Sequence, residues 1–278
     1  MEIKATDVAK LRQMTGAGMM DCKNALAEAG GDFERAKEII REKGKLVAAK
    51  RADRETTEGA VVAKISPDSR KAILVALGCE TDFVAMNAEF VALANSVADT
   101  ALAQFPADLK ALMAARLGET TLEELITEQT GKSGEKHAIP YYGKIEAEYV
   151  YAYIHNTGKV ASIVGFNKKI SEEAGKDIAM QITAMAPVSL SKDDCPTEVI
   201  EKELAFAREQ IKLDPKMVGK PDAMIEQIAQ GKLTKFLKES TLEEQVFVKD
   251  GKISVADYLK SVDPAAKITA FRRFSLND

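Results

Sequence analysis

The sequence predicts an α+β protein in which an N-terminal three-helix module precedes two related α+β core subdomains, the second interrupted by a helical hairpin. Apolar residues first recur at helical spacing, short apolar strand-like runs begin only after Gly59, and a strand–turn–strand–helix order then occurs twice. The predicted ranges are 1–54 for the module and its linker, 55–143 for the first subdomain, 144–187 with 232–278 for the second, and 188–231 for the hairpin.

The N-terminal module consists of three predicted helices. We expect Thr6 to cap the first helix, Met19 and Met20 to open the second, and Asp32 to cap the third. Glycines are expected to end the second helix after Ala29 and the third helix at Gly44. The stretch that follows carries several basic residues without a sustained apolar stripe, which is typical of a partly helical linker.

The first core subdomain is predicted to open with a strand–turn–strand unit. Residues 60–65 and 72–77 are short apolar runs on either side of a Ser-Pro-Asp-Ser turn. A helix follows, with an apolar face that begins at Phe90. Thr121 and Glu124 have the spacing of a capping box, which predicts the start of another helix.

The second core subdomain repeats this order. Alternation along 145–153 predicts a strand, residues 156–158 a turn, and 160–166 the partner strand, before a helix that ends at Pro187. The charged helical stretch after Pro187 predicts the inserted hairpin. The subdomain then resumes, with helices expected at 232–238 and 254–260 and strands expected at 246–248 and 268–274.

Composition limits the function. The 39 basic and 43 acidic residues give a net charge of −4, which argues against a general nucleic-acid-binding surface. We find no apolar run near the roughly 20 residues of a membrane span and no signal-peptide pattern. We therefore expect a protein without membrane contact that works in the cytoplasm, or in an organelle after processing. Two histidines and three scattered cysteines lack metal-ligand spacing, so no metal is expected and each cysteine is interpreted as a small buried hydrophobe.

Two glycine motifs resemble nucleotide-binding loops but lack required parts. The Gly-Lys-Ser at 131–133 has Ile126 where a phosphate-binding loop needs glycine, and we expect a surface loop there. The Gly-Ala-Gly at 16–18 has Asp21 where a dinucleotide fingerprint needs its third glycine. Neither histidine has a nucleophile in a recognisable motif. The sequence therefore predicts no direct nucleotide binding, no cofactor and no enzyme.

Two features leave alternatives open. Met19 and Met20 follow a flexible loop and suit either an irregular core or an adaptable interface. In residues 79–85, Phe83 is either an interface anchor on a protruding loop or a local core plug, with Asp82 as a helix N-cap in the second case.

Several stretches of the sequence resemble the elongation factor Ts family of bacteria and organelles. The most specific are residues 11–23, Leu-Arg-Gln-Met-Thr-Gly-Ala-Gly-Met-Met-Asp-Cys-Lys, and residues 79–85, Cys-Glu-Thr-Asp-Phe-Val-Ala. Residues 29–32, His155 and much of 232–248 extend the resemblance to almost the whole chain. It implies a ubiquitin-associated-like N-terminal domain and a guanine-nucleotide exchange factor that acts on the GTPase elongation factor Tu.

The resemblance also implies roles for individual residues. In this family the Thr-Asp-Phe-Val segment enters the nucleotide domain of elongation factor Tu, where Phe83 would wedge between side chains and Asp82 would perturb the helix beside Mg²⁺. Mg²⁺ bridges the β-phosphate to the GTPase, so its displacement weakens GDP binding. The implied partner-binding residues are Thr81, Asp82, Phe83 and Val84 for Mg²⁺ displacement, Arg12, Met19 and Met20 on the N-terminal module, and His155 as core support.

Residues 131–136 depart from the Ile-Gly-Glu-Asn loop that is common in the family, so no contact is carried over to them. The hairpin mediates dimerisation in some members. Here Met224, Ile225 and Ile228 could form the seam of a homodimer, or the hairpin could bury them within itself.

Two other hypotheses remain. The three-helix module could bind ubiquitin-like or other proteins while the rest of the chain serves as a non-enzymatic scaffold. The basic linker at 41–54 could bind RNA, a hypothesis that the net charge of −4 disfavours.

Overall fold

The computed structural model describes residues 3–217 and 219–277. It confirms a mixed α+β protein with an N-terminal helical region followed by a core that contains two three-stranded antiparallel sheets. The residue limits given above for the subdomains stay predictions. Of those limits, residues 1 and 278 lie outside the described part of the chain, as does residue 218 within the hairpin.

The N-terminal module contains the three predicted helices, α1 (Ala5–Thr15), α2 (Met19–Glu28) and α3 (Phe33–Lys50). The Asp32 carboxylate caps α3 as expected and accepts hydrogen bonds from the backbone N–H groups of Glu34 and Arg35 at 2.8 and 3.1 Å. The helices enclose a small apolar core made of Val8, Leu11, Ala17, Cys22, Ala25, Leu26, Ala36 and Ile39.

Two predicted helix signals in this module are wrong. Thr6 lies inside the first turn of α1, and Lys4 stands at the N-cap without a side-chain hydrogen bond. Gly44 does not end α3, which continues to Lys50. Gly44 is buried where α3 crosses the helix that contains Gly131, so it lies at a helix contact and not at a helix end.

The first sheet has the order β1 (Glu58–Ile65), β2 (Lys71–Cys79) and β5 (Ala138–Glu146). Between β2 and β5 the chain forms four helices and a small two-stranded ladder. In chain order these are α4 (Asp82–Ala85), α5 (Ala88–Gln104), α6 (Leu109–Ala114), β3 (Arg116–Leu117), β4 (Thr120–Thr121) and α7 (Leu122–Ser133). The predicted capping box of Thr121 and Glu124 is present at the start of α7.

The second sheet has the order β6 (Tyr149–Ile154), β7 (Val160–Phe166) and β8 (Ile268–Ser275). The remaining helices connect β7 to β8. They are α8 (Glu172–Met185), the hairpin helices α9 (Thr197–Leu213) and α10 (Asp222–Ser240), and α11 (Val255–Val262).

The two sheets pack face to face, and each is covered by helices on its other side. In β2, Ile73, Val75 and Leu77 face the core shared with α5 and α7, while Leu74 packs in the cluster between the two sheets with Ile163 of β7. Both faces of β2 are therefore buried, which explains why its sequence is continuously apolar.

Three predicted core elements differ from the structure. The alternating run at 145–153 is two strands, because the chain passes from β5, which pairs with β2, to β6, which pairs with β7. The helix expected at 232–238 is the end of α10. The strand expected at 246–248 forms only an isolated bridge, because the Gln181 side chain takes the place of a strand partner. Gln181 accepts from Val248 N at 2.8 Å and donates to the Val246 carbonyl at 3.1 Å.

The hairpin buries most of its apolar stripe within itself. Ile225 and Ile228 pack against a cluster that includes Ile211 of the facing helix, while Met224 remains 43% exposed. Arg208 and Glu226 form a two-point ion pair between the helices, with hydrogen bonds of 2.7 and 2.8 Å. Homodimerisation through this hairpin stays a prediction.

Candidate functional site

The 79–85 segment forms a protruding turn of helix at the end of β2. Thr81 is the N-cap of α4, and the exposed Phe83 ring is 81% accessible to solvent. The core-plug interpretation of Phe83 is therefore wrong, as is the expectation that Asp82 caps the helix. Asp82 is also exposed, whereas Val84 packs against the core of the first sheet.

A second apolar side chain extends the exposed surface around Phe83. Met86 follows three residues later, one turn further on, and is 69% exposed. Nothing in the sequence marks Met86 as a surface residue, because an unbranched apolar residue at this spacing is equally typical of a core position. Because Val84 and Ala85 face the core, α4 presents an anchored inner side and an apolar outer tip.

The residues that precede α4 are fixed by buried and charged contacts. Cys79 is fully buried, and burial, followed by the nearby Glu135 carboxylate, raises the pKa of its thiol to about 12. The thiol therefore stays protonated and is no nucleophile at neutral pH. The hydrogen bond from Lys136 N, together with the Arg51 guanidinium, holds the pKa of the Glu80 carboxyl below its usual range.

His155 lies in the exposed β6–β7 turn, as expected, with the Tyr153 hydroxyl 3.5 Å from its Nδ1. This turn is located at the same end of the paired sheets as α4. Lys159, four residues after His155, forms a 2.6 Å ion pair with Glu58, and Glu58 is the strand partner of Cys79. The structure thus brings the His155 turn and the Phe83 segment to one end of the core.

Arg12, Met19 and Met20 are all exposed on the N-terminal module. The exposed fractions of Met19 and Met20 are 57% and 64%, so the structure decides for the surface and against the core. The module continues into α3, and Arg51, the residue after that helix, pairs with Glu80 at 2.8 Å. A direct ion pair therefore connects the end of the module to the residues just before α4.

Residues 131–136 differ from the sequence-based expectation. Gly131, Lys132 and Ser133 form the last turn of α7 rather than a surface loop. Glu135 and Lys136, to which no contact was carried over, hydrogen-bond to the segment before α4. Sequence reasoning missed them because they lie more than 50 positions from their partners and no local pattern marks such a contact.

The described residues hold no group of three or more histidine, cysteine, aspartate or glutamate side chains that could bind a metal ion. Within 3–217 and 219–277, we also find no helix that is long and apolar enough to span a membrane. All three cysteines are buried free thiols, as expected.

His137 is a buried histidine in the segment that leads from α7 into β5, and we expect it to make folding stability depend on pH. Burial lowers its pKa from 6.5, although the Glu135 carbonyl and the charges of Glu135 and Glu80 oppose the shift. As the pH falls below about 6.5, the unfolded chain takes up a proton that the folded chain does not. The free energy of unfolding should therefore decrease from that pH down to the lower folded pKa.

Urea unfolding at about pH 7.5 and about pH 5.5 measures this effect. We expect His137→Phe to lose less stability between the two conditions than the wild type does. His155→Phe serves as the control because His155 is the other histidine of the chain and is exposed. An equal loss in the wild type and His137→Phe would contradict the prediction.

Comparison with known proteins gives one consistent result. A family model described as elongation factor TS matches residues 80–278. The chain is 45% identical over 277 residues to elongation factor Ts of Christiangramia forsetii, covering 99% of both chains. It is 47% identical over 276 residues to elongation factor Ts of Amoebophilus asiaticus, covering 98% of both. Elongation factor Ts of Porphyromonas gingivalis is 44% identical over 278 residues, which cover all of this chain and 99% of that one.

Proposed function

The chain belongs to the elongation factor Ts family and thus has a role in translation elongation, and we propose that it is a nucleotide exchange factor for elongation factor Tu. It binds the GDP-bound GTPase in the cytoplasm, displaces Mg²⁺, perturbs the nucleotide site and so promotes GDP release, after which GTP loads. The protein itself binds no nucleotide and catalyses no covalent step.

The observation that carries this proposal is the exposure of Phe83 on an anchored turn of helix. Aromatic side chains are enriched among the residues that dominate binding energy at protein interfaces. Phe83 is 81% exposed, while the neighbouring Val84 holds α4 against the core. A partner can therefore bury the ring without any need to unfold its support.

The acidic residue beside the ring supports the Mg²⁺ part of the proposal. Asp82 is exposed next to Phe83, so a docked Phe83 brings a carboxylate into the same region of the partner. A carboxylate attracts Mg²⁺ and repels the phosphates of GDP. We infer that the ring provides binding energy and that Asp82 disturbs the charges that hold the nucleotide.

The energetics of exchange need no bond to be made or broken. A factor that binds the nucleotide-free GTPase more tightly than the GDP-bound form must weaken GDP binding by the same factor. Two surfaces of the protein would contribute to that binding. One is on the N-terminal module and contains Arg12, Met19 and Met20, and the other is on the core and contains α4 and His155.

Release of a fluorescent GDP analogue from purified elongation factor Tu tests the proposal. We expect the wild-type chain to accelerate release in a manner that saturates with its concentration, and to do so less effectively when Mg²⁺ is raised. Binding without acceleration would overturn the exchange function and favour the non-enzymatic scaffold. In that case binding should also survive Phe83→Ala unchanged.

A further inference from the structure

The two residues before α4 exchange hydrogen bonds with two residues that follow α7. Thr81 donates from its backbone N and its Oγ1 to the two carboxylate oxygens of Glu135, at 3.1 and 2.7 Å. In return, Lys136 donates from its backbone N to Glu80 Oε1 at 2.6 Å. Each segment thus provides a carboxylate for the backbone N–H of the other. We refer to Glu80, Thr81, Glu135 and Lys136 as the clasp.

The helix that bears Phe83 is too short to fix its own direction. α4 has four residues, and the first turn of a helix is unfavourable to form because several backbone angles are fixed for one hydrogen bond. Its cap bond, from Val84 N to Thr81 Oγ1, is long at 3.4 Å. The direction of α4 therefore depends on where Thr81 is held as well as on the packing of Val84 against the core, and Glu135 binds both free donors of Thr81.

Residues 51–54 also form hydrogen bonds with the clasp. Arg51 donates from one guanidinium nitrogen to both oxygens of Glu80, at 2.9 and 2.8 Å. The Lys136 ammonium donates to the carbonyls of Ala52 and Arg54 at 2.6 and 2.8 Å. Hydrogen bonds that involve a charged group are stronger than neutral ones, so these contacts form a rigid base beneath α4.

We propose that Glu135 is a positioning residue for nucleotide exchange, because it sets the direction in which Phe83 projects towards elongation factor Tu. This inference rests on the exchange function proposed above and extends it to a residue that does not itself belong to the exposed tip. A carboxylate is needed because both of its oxygens accept. A glutamine accepts at one atom only and presents an NH₂ group to the second donor of Thr81.

Fluorescence tests the positioning role without reference to exchange. The chain contains no tryptophan, so Phe83→Trp places a single indole at the exposed tip of α4. We expect its anisotropy to fall when Glu135→Ala is added, and to fall less with Glu135→Gln. The matched control is Glu128→Ala, since Glu128 accepts a 2.8 Å hydrogen bond from Arg41 but does not contact α4. Unchanged anisotropy in both Glu135 variants would overturn the proposal.

The exchange assay then measures the consequence. In the otherwise wild-type chain, Glu135→Ala should lower the maximal rate of GDP release by about tenfold, the effect expected for a lost charged hydrogen bond. The half-saturating concentration should change by less than about twofold, because the N-terminal module still binds. Glu135→Ala added to Thr81→Val should lower the rate little further, because the two residues act as a unit.

The outcomes separate this inference from the proposed function. If the wild type accelerates release and the Glu135 variants do so equally, the positioning role fails while the exchange function stands. If the wild type does not accelerate release, the exchange function fails, and the anisotropy measurement still decides whether Glu135 fixes α4. Thermal unfolding of each variant shows whether the fold is intact, and Glu135→Gln keeps the test valid if Glu135→Ala fails to fold.

Discussion

Phe83→Ala is expected to lower the efficiency of GDP release from elongation factor Tu, which is the maximal rate divided by the half-saturating concentration, by about 30-fold. A central aromatic anchor at an interface contributes about 2 kcal/mol or more, and this is the corresponding change in rate. The stability of the variant should not change, because the ring is 81% exposed and contributes little to the core. Loss of exchange without loss of stability would distinguish a contact residue from a structural one.

Stopped-flow release of the fluorescent GDP analogue over a range of factor concentrations provides the measurement, with thermal unfolding recorded in parallel. Phe206→Ala is the matched control, since Phe206 is also an exposed phenylalanine, 53% accessible, but lies on the hairpin helix α9. It should release GDP at the wild-type rate. Equal rates for the wild type and Phe83→Ala would remove the main support for the proposed mechanism.

The sequence predicted several elements of the fold from local chemical patterns, although the cap at Thr6 and the stop at Gly44 were wrong. The capping box at Thr121, the cap at Asp32 and the β7 limits 160–166 agree with the structure because caps and period-two alternation are local signals. The error at 145–153 has a different cause. The run at 145–153 alternates throughout, and only its pairing partners show that it belongs to two sheets.

The sequence predicted which residues belong to the candidate site, but it did not predict how they are arranged in space. The segment around Phe83 was evident from its residues, yet only the structure shows that the ring points outward. Glu135 was beyond prediction because its contact with Thr81 joins residues more than 50 positions apart. A positioning residue such as Glu135 meets its partner only in the folded chain. It is therefore harder to recognise in the sequence than a contact residue such as Phe83.

A substitution where α3 and α7 cross should strongly lower the free energy of unfolding. A Cβ atom built on Gly131 would lie well inside van der Waals contact of the Gly44 Cα, so the two backbones would have to separate. Such overpacking against backbone cannot be relieved by a side-chain rotation. We therefore expect Gly131→Ala to lower the free energy of unfolding by about 3 kcal/mol, at the upper end of the range for overpacked sites. The glycine of the Gly-Lys-Ser sequence at 131–133 is thus explained by helix packing.

The two glycines at this crossing differ in the space around them, so alanine should destabilise the protein at Gly131 but not at Gly44. A Cβ atom on Gly44 would meet the Gly131 Cα at 3.6 Å, which is an ordinary contact, and one on Gly231 in α10 would meet nothing within 4 Å. Both Gly44→Ala and Gly231→Ala should therefore gain about 0.5–1 kcal/mol from helix propensity. Urea unfolding of the three variants measures these changes. If Gly131→Ala also proved stabilising, α3 and α7 would not cross as closely as the structure shows.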